Sequence, residues 1–190
     1  MTRKRGDMET NFEVRSFDAD IPLDEFRRLP RAPLWIVLDN LRSAFNVGAI
    51  FRLCDTMRAS GLYLCGYTAH PPHRKLEKTS LGTIDYVPWR HFESTGEAVR
   101  DLQERGIPVW AVETTSHAVR FDRVDYPSPL ALVFGNEALG VSREVLEACT
   151  GFVEIPAWGF KNSLNVATAV AVVGYRVLDR SGFEETGSSR

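Results

Sequence analysis

Residues 153–178 read VEIPAWGFKNSLNVATAVAVVGYRVL. A short apolar strand, a polar loop and a long helix follow one another here. Val166, Ala169, Val170, Val173 and Val177 fall at i, i+3, i+4, i+7 and i+11, which is one apolar face of a helix. Ser163 or Asn165 opens that helix, both being residue types that cap helix N-termini. The loop FKNSLN therefore sets hydrogen-bonding groups where a strand end and a helix start face one crevice.

The rest of the chain repeats the pattern. Continuous apolar runs at 34–38 (LWIVL), 62–65 (LYLC), 107–112 (IPVWAV) and 130–134 (LALVF) read as strands buried on both faces, and 152–155 (FVEI) reads as a fifth strand. A short strand is expected at 84–89. Helices are expected at 23–29, 47–57, 94–105 and 142–149. The third is opened by Ser94 or Thr95 and stopped by Gly106, and the last is opened by Ser142. Residues 66–82 read as a long loop with two prolines, carrying His70, His73, Arg74, Lys75 and Lys78. Strands alternating with helices predict an α/β domain, a mostly parallel sheet flanked by helices. Ligands of such sheets bind beyond the carboxyl ends of the strands. The loops after the first, third, fourth and fifth long strands are the places to look.

Composition sets outer bounds. The chain has 190 residues, 44% hydrophobic and 25% charged, enough apolar material for a core. We divide it into a basic extension (1–31), one domain (32–180) and a polar tail (181–190). No run of 18 apolar residues is present, and the basic N-terminus lacks the apolar stretch of a secretory signal. Cys54, Cys65 and Cys149 are widely spaced and read as buried thiols of a reducing cytoplasm. The four histidines have no zinc-ligand spacing. The net charge of −2 gives no general attraction to a polyanion, so any nucleic-acid contact must rest on a local patch.

Three segments carry candidate chemistry. In Asn46-Val47-Gly48-Ala49-Ile50-Phe51-Arg52, Gly48 permits close backbone approach by a ligand, and free N–H groups at a helix start suit an anion. Asn46 reads equally as the helix cap. Arg52 lies one turn beyond Gly48 among apolar residues and needs a carboxylate or phosphate partner. In Phe134-Gly135-Asn136-Glu137-Ala138-Leu139-Gly140, Gly135 could let the backbone meet a ligand, and Glu137 could pair with Arg52. Its glycine spacing fits neither a dinucleotide fold nor a phosphate loop. The third segment is the opening one, with Ile155, Ser163, Leu164 and Asn165. Asp39 and Asp55 read as structural carboxylates.

Taken together, N-x-G-x-x-x-R at 46–52, F-G-x-E-x-x-G at 134–140 and I-P-x-x-G-x-x-x-S-L-N at 155–165 resemble the SpoU (TrmH-like) family of RNA ribose 2′-O-methyltransferases, of the wider SPOUT class. The one departure is Ala157, where the family often has Met. The resemblance implies a trefoil-knotted fold, with S-adenosylmethionine bound in the knot and the site near the interface of a homodimer. It implies Arg52 as the catalytic residue, with Asn46, Glu137, Ser163 and Asn165 orienting it and the ribose. It implies Val112, Gly135, Ile155, Ser163 and Leu164 as contacts to the methyl donor, and no metal. The substrate it implies is RNA, transfer RNA ahead of ribosomal RNA because no separate RNA-binding domain is visible. Arg74, Lys75 and Lys78 are then local RNA contacts, together with the N-terminal arginines. Two alternatives share the fold: methylation of a base, and an RNA-binding protein without activity. An unrelated small-molecule enzyme would require the triple match to be accidental.

Overall fold

The computed structural model describes residues 21–183. In chain order these form α1 (Leu23–Phe26), β1 (Ala32–Asp39), α2 (Ala44–Thr56), β2 (Ala59–Cys65), α3 (Arg74–Ser80), a 3₁₀ turn at Thr83–Asp85 and β3 (Trp89–Phe92). Then come α4 (Thr95–Glu104), β4 (Val109–Val112), β5 (Val119–Arg120), β6 (Leu130–Phe134), α5 (Arg143–Ala148), β7 (Gly151–Glu154) and α6 (Val166–Ser181). Residues 1–20 of the basic extension and 184–190 of the tail lie outside the described range.

The seven strands form one sheet in the order β3-β2-β1-β6-β4-β7-β5, with every pairing parallel. Alternate residues of the central strands feed two cores. On one face Leu34, Ile36, Leu38, Leu130, Leu132 and Phe134 pack with α2 and α6. On the other, Val37, Ala131 and Val133 pack with Ala98, Val99 and Leu102 of α4 and Val145 of α5. This burial on both sides is why the strands read as unbroken apolar runs.

Local chemistry accounts for the helix ends. Ser94 accepts from Glu97 N, and the Glu97 carboxylate accepts from Ser94 N, which closes a capping box on α4. Asn165 caps α6 by accepting from Ala167 N and Thr168 N. Val166, Val170, Val173 and Val177 are buried, as their spacing predicts, and Ala169 is half-buried. No helix among the described residues is long and apolar enough to cross a membrane.

Several boundaries differ from expectation. Helix α2 starts at Ala44, ahead of Val47, because Ser43 caps it and accepts from Asn46 N. Residues 66–82 are not all loop, since Arg74–Ser80 turns into α3 and buries Leu76. The prolines at 71 and 72 precede that helix and do not interrupt it. The strand expected at 84–89 begins at Trp89, because Thr83–Asp85 is a 3₁₀ turn whose Thr83 carbonyl accepts from Tyr86 N and Val87 N. Helix α1 is a single turn, and β5 has two residues and no apolar run to announce it.

The register places the site. Leu38 and Val112 both pair with Phe134, and Val112 also pairs with Val153. The carboxyl ends of β1, β6, β4 and β7 thus lie side by side. The chain runs outward along β1-β2-β3 and then returns to the other half of the sheet, which makes this the switch point where a ligand crevice forms.

Candidate active site

The loops leaving β4, β6 and β7 enclose a cleft of about 770 Å³, completed by the start of α6. It holds Val112, Gly135, Ile155, Ser163 and Leu164, every residue expected to meet a methyl donor. Glu137 and Asn165 line it too. Its size suits a small-molecule site. Among the described residues, the charged ones on its wall are Glu113, Glu137 and Glu154, with no lysine, arginine or histidine. Such a wall fits a cationic ligand, such as a sulfonium carrying an ammonium group, and disfavours phosphate.

Glu137 is the hub of the rim. Its carboxylate accepts from Arg42 N at 2.9 Å, Ser43 N at 3.2 Å and Asn46 Nδ2 at 2.9 Å. Asn46 Oδ1 in turn accepts from Asn165 Nδ2 at 3.1 Å. One residue from each of the three sequence segments therefore joins a single chain of hydrogen bonds. Burial works to raise the Glu137 carboxyl, but the amide of Arg42, its own backbone, Asn46 and the amide of Ser43 outweigh it. The net effect holds the group below its ordinary value, so it is a carboxylate at neutral pH.

Other expectations need correction. Glu137 does not pair with Arg52; its partners are the backbone entering α2 and Asn46. The anion at the start of α2 is this carboxylate, and no exogenous group is needed to satisfy those amides. Arg52 is exposed on α2 and lies outside the cleft wall, so the cost of burying it does not arise. Gly48 does not make room for a ligand. A Cβ there would lie 1.9 Å from Thr79 Oγ1, so the glycine lets α3 pack on α2. Ser163 lines the cleft, but Asn165, not Ser163, caps α6. Ser142 makes no side-chain cap; its amide donates to Asp39 Oδ2.

Gly135 lines the cleft for a reason of its own. The segment after it folds back so that Asn136 and Gly140 exchange backbone hydrogen bonds. A Cβ on Gly135 would sit 2.1 Å from the Gly140 carbonyl carbon. The wall of the cleft thus needs glycine to close on itself.

Three residues were missed from the sequence. Asn136 is buried; its Oδ1 accepts from Ala138 N and Leu139 N, and its Nδ2 donates to Asn40 O and Tyr67 Oη. Glu113 accepts from Val141 N at 2.9 Å and braces the same loop from β4. Tyr67 sits just past β2. An amide residue beside Gly135 was the one available signal, since a polar residue in a tight turn usually bonds its own backbone. Asp39 proves structural as expected, buried and accepting from Thr95 Oγ1 and Ser142 N.

Cys54 and Cys65 are buried free thiols and Cys149 is half-buried. Burial pushes the Cys65 and Cys149 thiols up to about 12 and raises Cys54 as well. Arg74, Lys75 and Lys78 all lie exposed on α3. Of these, Lys75 lines a second cavity beside the start of α2.

Comparison with known proteins agrees with this geometry. The SpoU rRNA Methylase family matches residues 33–175. The tRNA (guanosine(18)-2′-O)-methyltransferase of Thermus thermophilus is 35% identical over 151 residues, 80% of this chain and 77% of that protein. The 23S rRNA (guanosine-2′-O-)-methyltransferase RlmB of Ralstonia nicotianae is 33% identical over 141 residues, 74% of this chain and 56% of its own length. Among solved structures, the A. aeolicus TrmH/SpoU tRNA modifying enzyme superposes with a TM-score of 0.73 at 29% identity, covering 83% of this chain and 81% of that one. AviRb from Streptomyces viridochromogenes, in complex with AdoMet, gives 0.73 at 27% identity, covering 85% of this chain and 66% of that one. Sequence, sheet order and cleft converge, and the chain belongs to the SpoU rRNA methylase family.

Proposed function

We propose that this chain transfers the methyl group of S-adenosylmethionine to a ribose 2′-hydroxyl of a structured RNA, transfer RNA ahead of ribosomal RNA. The observation that carries the reading is the hydrogen-bond chain Glu137–Asn46–Asn165 on the rim of an acidic cleft. It ties the three family segments into one site. The relatives' names supply the reaction class, one being named for a transfer RNA and the other for 23S ribosomal RNA.

Val112, Gly135, Ile155, Ser163 and Leu164 would hold the methyl donor, which supplies an already activated sulfonium methyl. Glu113, Glu137 and Glu154 offset its positive charge. The chain's own task is the nucleophile. A ribose hydroxyl is a poor nucleophile: its oxygen takes the methyl carbon as the carbon–sulfur bond breaks, the sulfur leaves as a neutral thioether, and the hydroxyl proton passes to solvent. The Arg52 guanidinium is permanently charged, so it acts by binding the target nucleotide's phosphate and stabilising the developing alkoxide. Asn46, held by Glu137 and Asn165, orients the ribose, with Ser163 beside it.

A homodimer is supported by exposed apolar side chains in the loops after β6 and β7. Trp158, Phe160 and Leu139 are 84%, 99% and 84% exposed, an unusual outlay of apolar surface for a monomer. The family fold supports a trefoil knot in which residues 155–165 and α6 close over the cleft. Three free cysteines with no disulfide among the described residues support a reducing cytoplasm. Residues 32–180 would form the catalytic domain, and Arg74, Lys75 and Lys78 would meet the RNA backbone.

Incubation with methyl-labelled S-adenosylmethionine and RNA from cells lacking the gene tests the reading. Label should enter RNA with the wild type. Arg52→Ala should lower kcat by about 10²-fold or more while binding the methyl donor with unchanged Kd. Unchanged turnover in that variant would remove Arg52 from the mechanism.

A further inference from the structure

The second cavity, about 530 Å³, opens beside the acidic cleft and has the opposite character. Its basic residues are Arg42, His70, His73 and Lys75, with no carboxylate in its lining among the described residues. Two large rings stand open on its wall, Tyr67 at 61% and Phe45 at 60% exposure. Basic groups interleaved with exposed aromatics are the makeup of a site that grips an unstacked nucleotide, phosphate on the cations and base on a ring.

Tyr67 is held for that work. Its hydroxyl accepts from Asn136 Nδ2 at 2.6 Å, and its amide donates to Asn40 Oδ1 at 3.3 Å. Its neighbour Thr68 is buried, with a hydroxyl that donates to Cys65 O at 2.7 Å and accepts from Leu41 N at 3.0 Å. The ring is therefore exposed yet fixed at both ends, and a base would stack on it at little entropic cost. Asn136 belongs to the wall of the acidic cleft, so this side-chain hydrogen bond joins the two cavities, as do the bonds from the Arg42 and Ser43 amides to Glu137.

We propose that this second cavity receives one unstacked nucleotide of the RNA substrate, its base on the Tyr67 ring and its phosphate between Arg42 and Lys75. The site rests on the RNA-methylating reading above. It splits the labour by charge: the acidic cleft takes the cationic donor, and the basic cavity takes the polyanion. Tyr67 is a positioning residue here, setting which nucleotide reaches Asn46.

The test compares Tyr67→Ala, Tyr67→Leu and Tyr67→Phe in the full chain. RNA from cells lacking the gene is the substrate, and calorimetry measures S-adenosylmethionine binding. Methylation by the wild type in the same assay settles the underlying reaction independently of Tyr67. If the ring is a stacking platform, Ala and Leu raise KM for RNA about tenfold, Phe stays within about twofold, and donor Kd is unchanged throughout. Leucine fills the volume without a flat face, so its failure separates stacking from packing. Wild-type KM in Ala and Leu, or a parallel loss of donor affinity, would overturn the proposal. Lys75→Glu supplies a second arm: it should weaken RNA binding and flatten its salt dependence, and no change in either would count equally against the site.

Discussion

Asn46 and Asn165, 119 residues apart in the chain, meet through a hydrogen bond of 3.1 Å. Asn165 spends its Oδ1 capping α6 and its Nδ2 on Asn46. Asn46 spends its Nδ2 on Glu137 and its Oδ1 on Asn165. Each amide is thereby fixed in orientation by its neighbours. The contact ties the start of the helix that closes the cleft to the first turn of the helix that bears Arg52.

Asn46→Ala should cut that chain in the middle. Glu137 keeps its two backbone donors, and the buried core is untouched, so the melting temperature should move little. Turnover should fall roughly 10²-fold, the scale expected when a reacting group is misplaced by about an ångström. Steady-state kinetics beside a thermal melt checks this. A large stability loss with normal turnover per folded molecule would mean that Asn46 is structural.

Glu137 makes a pH-dependent contribution. Its carboxyl is held below its ordinary value, so the stability it adds is present above the unfolded value of about 4.3 and is lost as pH falls through the lower folded value. Glu137→Gln removes the charge and faces the Arg42 and Ser43 amides with a weaker acceptor. The variant should melt below the wild type at pH 7, and the gap should close as pH drops below about 4. A gap independent of pH would show that the charge is not what matters.

Much of this architecture is legible in the sequence. The five strands expected from the sequence and α4 follow from apolar runs, a serine or threonine cap and a glycine stop, signals that local chemistry decides alone. Helix α3 is not legible, because seven residues after two prolines leave only Leu76 to announce a buried face. The partners of Glu137 are not legible either. Sequence shows an acid and an arginine, and pairing them is the natural guess. The structure instead satisfies the acid with backbone N–H groups, which no residue type advertises. Gly48 misleads for a similar reason: a glycine signals close approach without saying by what.

That last point gives a direct prediction. Gly48→Ala would set a methyl against Thr79 Oγ1, and overpacking of this kind costs about 1–3 kcal/mol. Adding Thr79→Gly should recover part of that loss. Denaturant titrations of the two single variants and the double measure the coupling. Lost RNA or donor affinity at full stability would restore Gly48 as a ligand contact.

The cations of α3 are tested by salt. Charge reversal at Arg74, Lys75 and Lys78 together should weaken RNA binding and reduce the slope of log affinity against log salt by about two to three. Filter binding over a range of potassium chloride reads both quantities. An unchanged slope would show that α3 faces away from the RNA.

The central claim is the chemical destination of the methyl group. Wild-type protein, labelled S-adenosylmethionine and RNA from cells lacking the gene should yield, after digestion to nucleosides and mass spectrometry, one nucleoside whose label stays with the sugar when the base is cleaved away. Label on the base fragment, or no RNA-borne label at all, would contradict the account.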